Sequence, residues 1–237
     1  MIEMVRRFLR QKLGSPAMLI ALLLLALLCM APLVASGGQS SSGPAVFGLV
    51  VLAAASVSKD VSSGALQMIL ARPIRRSEYL LGRFFGIAAA YGLFLLVTLA
   101  LAFVVPRALP FLAPVPFSLP DAARTVAGGF LDGLLIAAAL VFFSTFLPGY
   151  ADLLGFLLMT LLIQVPGILG QLLQRPSYTR ATKLLHQNIQ PEVAWAEVLR
   201  GDNVLRVETG QYVLAVIVFL AAAVIVFSRR EFAYGQD

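Results

Sequence analysis

Charged side chains are scarce in this chain, and so are cysteine, histidine and tryptophan. Only 13% of its 237 residues are Asp, Glu, Lys or Arg, whereas 59% are hydrophobic. A soluble domain carries about a quarter charged residues, so this chain has too little polar surface to cover itself in water. The same composition excludes intrinsic disorder and a collagen-like fibre.

The single cysteine and the single histidine restrict the chemistry that the chain could perform. Cys29 has no second cysteine for a disulfide or a thiolate metal cluster. His186 has no second imidazole for a metal site or a proton relay, and we interpret it as a bystander. The sequence also lacks a Walker-type phosphate loop, GxGxxG and HExxH. We therefore expect no enzymatic activity, no metal and no cofactor bound by this chain.

Uncharged stretches of membrane-spanning length recur along the sequence. A bilayer core requires about 20 mainly apolar residues per helix. Residues 13–58 contain no charged side chain, but the sequence SGGQSSSG at 36–43 is typical of a turn. We therefore predict an all-α integral membrane protein with a single domain, 1–237, and transmembrane helices at 16–35, 44–58, 84–105, 127–147, 153–173 and 209–228.

The basic residues predict the orientation of these helices. With the N-terminus inside, the inner segments hold most of the 18 Lys and Arg residues, which the positive-inside rule favours. Both termini are then cytoplasmic. Val34-Ala35-Ser36 could serve as a signal-peptide cleavage site, but the apolar run before it exceeds the usual signal core of about 7–15 residues. We expect this segment to be retained.

Two segments outside the predicted spans are amphipathic. Residues 1–14 place apolar side chains on one half of a helix and Arg6, Arg7 and Arg10 on the other, which predicts an in-plane helix at the membrane surface. In the outer segment 174–208 the sequence predicts a short helix over 191–200, with Trp195 at headgroup level. A surface helix lying on lipid is one interpretation of that segment.

Polar residues inside the spans are candidates for a translocation pathway. Asp132 is a carboxylate in the fourth predicted span, and it either lines a pathway or makes a structural hydrogen bond. Gly129 and Gly133 flank it at GxxxG spacing, which predicts close helix packing. Gln164 and Pro166 lie in the fifth span, where the proline either breaks the helix beside a cavity or only bends it.

The cytoplasmic hairpin 59–83 is the most informative stretch. Gly64 permits a break, residues 65–71 predict a short amphipathic helix, and Pro73 ends it. Ser77 is predicted to cap the third span, with Glu78 in its first turn. Gly82 and Gly86 would let another helix approach closely. A helix held below the membrane suits docking on a cytoplasmic partner, but it could equally lie on lipid headgroups.

This hairpin resembles the signature of ABC type-2 transporter permeases, the membrane subunits of prokaryotic ATP-driven transporters. The resemblance rests on Asp60, Ser63-Gly64-Ala65-Leu66, Ile69-Leu70, Pro73-Ile74-Arg75-Arg76 and Leu81-Gly82-Arg83. The ending FSRREF at 227–232 and the predicted six-span layout are also similar to that family. Asp60 stands where the family more often has Glu, and Ala65 where it has Thr.

The resemblance implies a coupling helix that docks on a separate ABC-type ATPase subunit, which would hold ATP and magnesium. The implied coupling residues are Asp60, Gly64, Leu66, Ile69, Leu70, Pro73 and Arg76. It further implies that residues 174–208 form an extracytoplasmic cap over the pathway. It also implies a dimer of permeases in the cell membrane, with the second and fifth spans along the seam, exporting a hydrophobic or amphiphilic substrate. We expect no nucleic-acid partner. A non-transporting membrane scaffold or assembly factor is the alternative function.

Overall fold

The computed structural model describes residues 2–38, 45–54, 56–57, 60, 75–108, 117–147, 150–174, 176–191, 193–201 and 207–229. All regular secondary structure in these ranges is helical. The helices are α1 (Ile2–Leu13), α2 (Pro16–Ala35), α3 (Ala45–Ala53), α4 (Arg76–Ala108), α5 (Leu119–Ser144), α6 (Ala151–Leu172), α7 (Pro176–Ile189), α8 (Trp195–Val198) and α9 (Val207–Arg229).

Five of these helices are long and apolar enough to cross a membrane, namely α2, α4, α5, α6 and α9. These helices and the absence of strands from the described ranges fit an all-α, multi-pass membrane protein. The predicted second span, 44–58, is not among the five. Its helix α3 has nine residues, or about 14 Å, which is less than half of a hydrocarbon core about 30 Å thick.

The bounds of three helices follow the apolar pattern closely. Helix α2 occupies the predicted 16–35, and α6 and α9 begin and end within two residues of the predicted 153–173 and 209–228. Helices α4 and α5 instead begin eight residues before the predicted 84–105 and 127–147. Their first two turns carry Arg76, Glu78, Asp121 and Arg124. Charge excludes a residue from a predicted span, but it does not prevent the helix from continuing into water.

The predicted helix over 191–200 was too long, because α8 comprises only four residues. Helix α7, which the sequence analysis did not predict, precedes it with 14 residues. The sequence of α7 is rich in polar side chains, so it lacks the long apolar run by which the spans were found. Helix α7 packs against α6, where Gly167 faces Thr182. The apolar pattern of α7 alone did not indicate this contact.

The described chain divides into two compact units. The first comprises Met1–Ala53, Gly82–Ala137 and Ala194–Val204. Glycines in this unit lie against large side chains, so that neighbouring helices approach closely. Gly86 of α4 lies against Phe8, which is only 1% exposed. Gly133 of α5 lies against Tyr91, whose hydroxyl donates a hydrogen bond to the Gly129 carbonyl at 3.3 Å. The close packing predicted at both glycine pairs is confirmed.

Glycine also ends helix α2, at the start of the predicted turn. Gly37 and Gly38 have φ values of 65° and 100°, in the left-handed region that glycine adopts without strain. The Gly38 amide donates to the Leu33 carbonyl at 2.8 Å and the Gly37 amide to Val34 at 3.1 Å, as in a Schellman motif. Thr125 of α5 donates to the Gly38 carbonyl at 2.8 Å. The predicted turn is confirmed for residues 36–38.

The second unit comprises Ala54–Leu81, Ala138–Val193 and Leu205–Asp237. Its core includes Leu140, Val141 and Phe227, each with no exposed surface. The Phe142 ring contacts the Phe219 ring of α9, with 5.9 Å between their centroids. Phe142 and Phe219 thus join the end of α5 to α9.

Candidate functional site

Two of the predicted coupling residues, Asp60 and Arg76, can be placed in the structure. The other five, Gly64, Leu66, Ile69, Leu70 and Pro73, lie outside the described residues. Asp60 comes directly before the stretch 61–74 and Arg76 shortly after it. Their surroundings therefore define how the two ends of the predicted coupling segment are held.

Asp60 is buried and joins the two ends of this segment. Asp60 is 3% exposed. The Tyr79 hydroxyl donates a hydrogen bond to its Oδ2 at 2.6 Å. Tyr79 itself is 1% exposed. A short bond from a hydroxyl to a carboxylate is about twice as strong as one between neutral groups. This bond therefore links the residue that precedes the segment 61–74 to the first turns of α4, which follow it.

The same turn of α4 is fixed to the end of the last helix. Arg76 donates from Nη1 to the Ser228 carbonyl at 2.8 Å and to the Phe227 carbonyl at 3.4 Å. These carbonyls belong to the last turn of α9, where helix carbonyls lack internal partners and the helix dipole favours a cation. The Tyr79 ring stacks on the Phe227 ring, with 5.7 Å between centroids. We call Asp60, Arg76, Tyr79, Phe227 and Ser228 the α4–α9 clamp.

The sequence analysis named Asp60 and Arg76 but not Tyr79, and it misassigned a neighbour of Arg76. Arg76 and Tyr79 are three residues apart and therefore share one face of α4, a spacing that could have indicated a joint role. Nothing in the spacing reveals their partners on α9. The assignment of Ser77 as helix cap was wrong, because α4 already begins at Arg76. Glu78 does lie in the first turn, as predicted.

Asp132 has a hydrogen-bond partner in the segment 174–208. Trp195 is 8% exposed, and its indole Nε1 donates to Asp132 Oδ1 at 2.6 Å. Gly128, one turn before Asp132, lies against the Trp195 Cβ, so a larger residue there would displace the indole. This is the arrangement that the structural interpretation of Asp132 predicts. Trp195 is packed within the first unit, not spread on a surface.

Gln164 and Pro166 lie in α6, which continues as one helix from Ala151 to Leu172. Pro166 therefore does not end the helix. The exposed Gln164 places Nε2 3.0 Å from His186 Nε2 on α7, and His186 Nδ1 lies 3.3 Å from the Gln190 carbonyl. The two contacts fit a neutral imidazole that donates from Nδ1 and accepts at Nε2. The sequence analysis treated Gln164 and His186 separately.

The described residues bring together no group of three or more His, Cys, Asp and Glu side chains that could hold a metal ion. Asp132 and Gln164 instead form hydrogen bonds with Trp195 and His186. Comparisons with family models, with curated proteins and with solved structures found no match to this chain.

Proposed function

We propose that this chain is the permease subunit of an ABC-type transporter of the type-2 family. In this proposal it crosses the cell membrane six times with both termini in the cytoplasm, and α1 lies in the membrane plane. Residues 59–83 receive force from a separate ATPase subunit, which binds ATP and magnesium. The α4–α9 clamp is the observation that carries the proposal, together with the resemblance of the hairpin to the family signature.

The clamp supports this proposal because a lever transmits force only if its ends are fixed. The bond between Asp60 and Tyr79 prevents the two ends of the segment from sliding past each other. Arg76 joins the returning end to α9, which is one of the candidate spans. A push on residues 61–74 would thus reach a membrane helix directly. A hairpin that only rested on lipid headgroups would have no need of buried polar attachments.

The proposal also includes a permease dimer and an apolar substrate. In α6, the fifth predicted span, only 11% of the most apolar stretch is buried, against 50% in α5. This leaves a large face of α6 for lipid or for a second copy. The spans consist mainly of Leu, Ala, Val and Phe, and such a lining favours a hydrophobic or amphiphilic substrate over an ion. Export is the direction implied by the resemblance.

The first test is whether an ATPase subunit co-purifies with the tagged chain, and the second is substitution at the clamp. Tyr79→Phe removes the hydroxyl that bonds Asp60 and keeps the ring on Phe227. We expect it to lower transport-coupled ATP turnover in the reconstituted complex while the helix content is unchanged. Tyr178→Phe is the matched control, since Tyr178 is 37% exposed on α7; its turnover should equal that of the wild type.

Two results would contradict the proposal. One is a purified, active chain with no ATPase bound and no response to ATP. The other is coupled turnover that Tyr79→Phe and Tyr178→Phe leave equally unchanged. Stable partners on the outer side, without any ATPase, would favour the membrane scaffold instead.

A further inference from the structure

An apolar groove opens in the first unit between the start of α2 and the middle of α4. Its volume is about 260 Å³, larger than the roughly 150 Å³ apolar cavity that accepts a benzene ring. Leu22 and Phe94 form its buried floor, and Leu19 and Leu93, each about half-exposed, form its two rims. Leu13, the last residue of α1, also lines the groove. The groove thus has the chemistry of a site for a hydrocarbon chain.

The basic face of α1 borders the groove at Leu13. Arg10 precedes Leu13 by three residues, so the two side chains are neighbours at the boundary between the basic and the apolar halves of α1. Arg10 is exposed and forms no ion pair within the part of the chain that the structure describes. Arg6 and Arg7, also exposed, add positive charge to the same helix. An anion held beside Leu13 would be attracted to this face.

We propose that the groove binds one acyl chain of an anionic phospholipid, whose phosphate contacts Arg10. A lipid of this kind joins an apolar chain to an anion in one molecule, which is the pairing that the groove and Arg10 present. A hydrophobic protein ridge would fill the groove and leave the charge of Arg10 unmatched. This inference goes beyond the proposed function and does not rest on it.

The test is native mass spectrometry of the full chain purified from a mixture of dioleoyl-phosphatidylglycerol and dioleoyl-phosphatidylcholine. The wild type should retain the anionic lipid in preference. Arg10→Gln should lower that preference about fivefold, which corresponds to the roughly 1 kcal/mol that one arginine contributes near an anionic surface. Arg6→Gln is the comparison variant. It removes the same charge from the same helix about 6 Å further from Leu13, and it should lower the preference clearly less than Arg10→Gln.

A second variant tests the groove separately from the charge. Leu93→Trp narrows the groove from an exposed rim and should lower retention of both lipids, with unchanged helix content and elution. Leu19→Trp narrows the groove from the other rim, and it is the variant to use if Leu93→Trp does not fold. The proposal is overturned if Arg6→Gln and Arg10→Gln act equally, or if the narrowed groove retains both lipids as before. If a Trp variant loses a dimer while its lipid retention is unchanged, the groove binds a second copy of the chain, and the lipid proposal is overturned.

Discussion

The bond between Trp195 and Asp132 is open to a direct energetic measurement. An indole that donates to a carboxylate at 2.6 Å forms a charge-assisted bond. Such bonds contribute about 1.5–3 kcal/mol to stability. Trp195→Phe keeps an aromatic ring over Gly128 but removes the donor, and Asp132→Leu removes the acceptor at similar volume. Each substitution alone leaves one polar group without this partner, whereas the double substitution leaves neither.

We therefore expect the free energies of unfolding of the two single variants and the double variant to be non-additive by about 1.5–3 kcal/mol. The assay is equilibrium unfolding in mixed micelles with increasing dodecyl sulfate, followed by far-UV circular dichroism. Asp121→Leu supplies the control, because Asp121 is another carboxylate of α5 and pairs with Arg124 at 3.0 Å. Combined with Trp195→Phe, it should be additive to within about 0.5 kcal/mol.

A coupling energy below about 0.5 kcal/mol between Trp195 and Asp132 would refute the structural interpretation of the carboxylate. The transport assay then separates the two interpretations further. If Asp132 acts only through this bond, the loss of transport in each variant should follow its loss of stability. If Asp132 lines a pathway, Asp132→Leu should abolish transport even where Trp195→Phe, with similar stability, retains it.

Three further predictions follow from the packing of α1 and α9. Gly86→Ala would place a Cβ 2.9 Å from the Phe8 ring, so it should lower the free energy of unfolding by about 1–3 kcal/mol. Gly210→Ala in α9 is the control. Its Cβ would meet no atom within 4 Å, so the substitution should be neutral or slightly stabilising. Phe8→Ala should lower the same quantity by about 3–5 kcal/mol, since Phe8 is fully packed; an unchanged unfolding curve would show that α1 does not pack on α4. Arg76→Gln should speed hydrogen exchange in the last turn of α9, and unchanged exchange there would contradict the proposed attachment at Phe227 and Ser228.

The apolar runs predicted most of the helical architecture, because transfer of a helix into lipid depends on composition more than on partners. Helix α2 begins at Pro16 and ends before a glycine turn, and both signals are local. Helix α7 was missed because its stability derives from packing on α6, and its own sequence is mostly polar.

For the polar contacts, the sequence identified individual residues but not which residues pair with each other. Asp132 and Trp195 were each singled out in the sequence, but 63 positions separate them and no spacing rule connects them. The clamp is similar, since the resemblance implied that Arg76 is a coupling residue, whereas Tyr79 was not considered. A carboxylate in an apolar helix is costly without a donor or water, so a structural hydrogen bond was one of the two sequence-based interpretations of Asp132. The sequence does not identify which donor the fold brings within reach.

Helix α1 shows why an amphipathic pattern alone does not decide between a lipid and a protein surface. Its apolar face, which includes Phe8, gains nearly the same free energy in acyl chains as in a protein groove, since both environments are equally free of water. The pattern therefore predicts the helix and its bounds but not its neighbour. What distinguishes the two environments is shape: a glycine pair four residues apart opens a groove that a ring can enter, and lipid offers no such fixed complement. Gly82 and Gly86 carried that second signal, and Phe8 packs there at 1% exposure. Small-residue grooves and unmatched aromatic residues are therefore best sought together when the partner of an amphipathic helix is inferred from sequence.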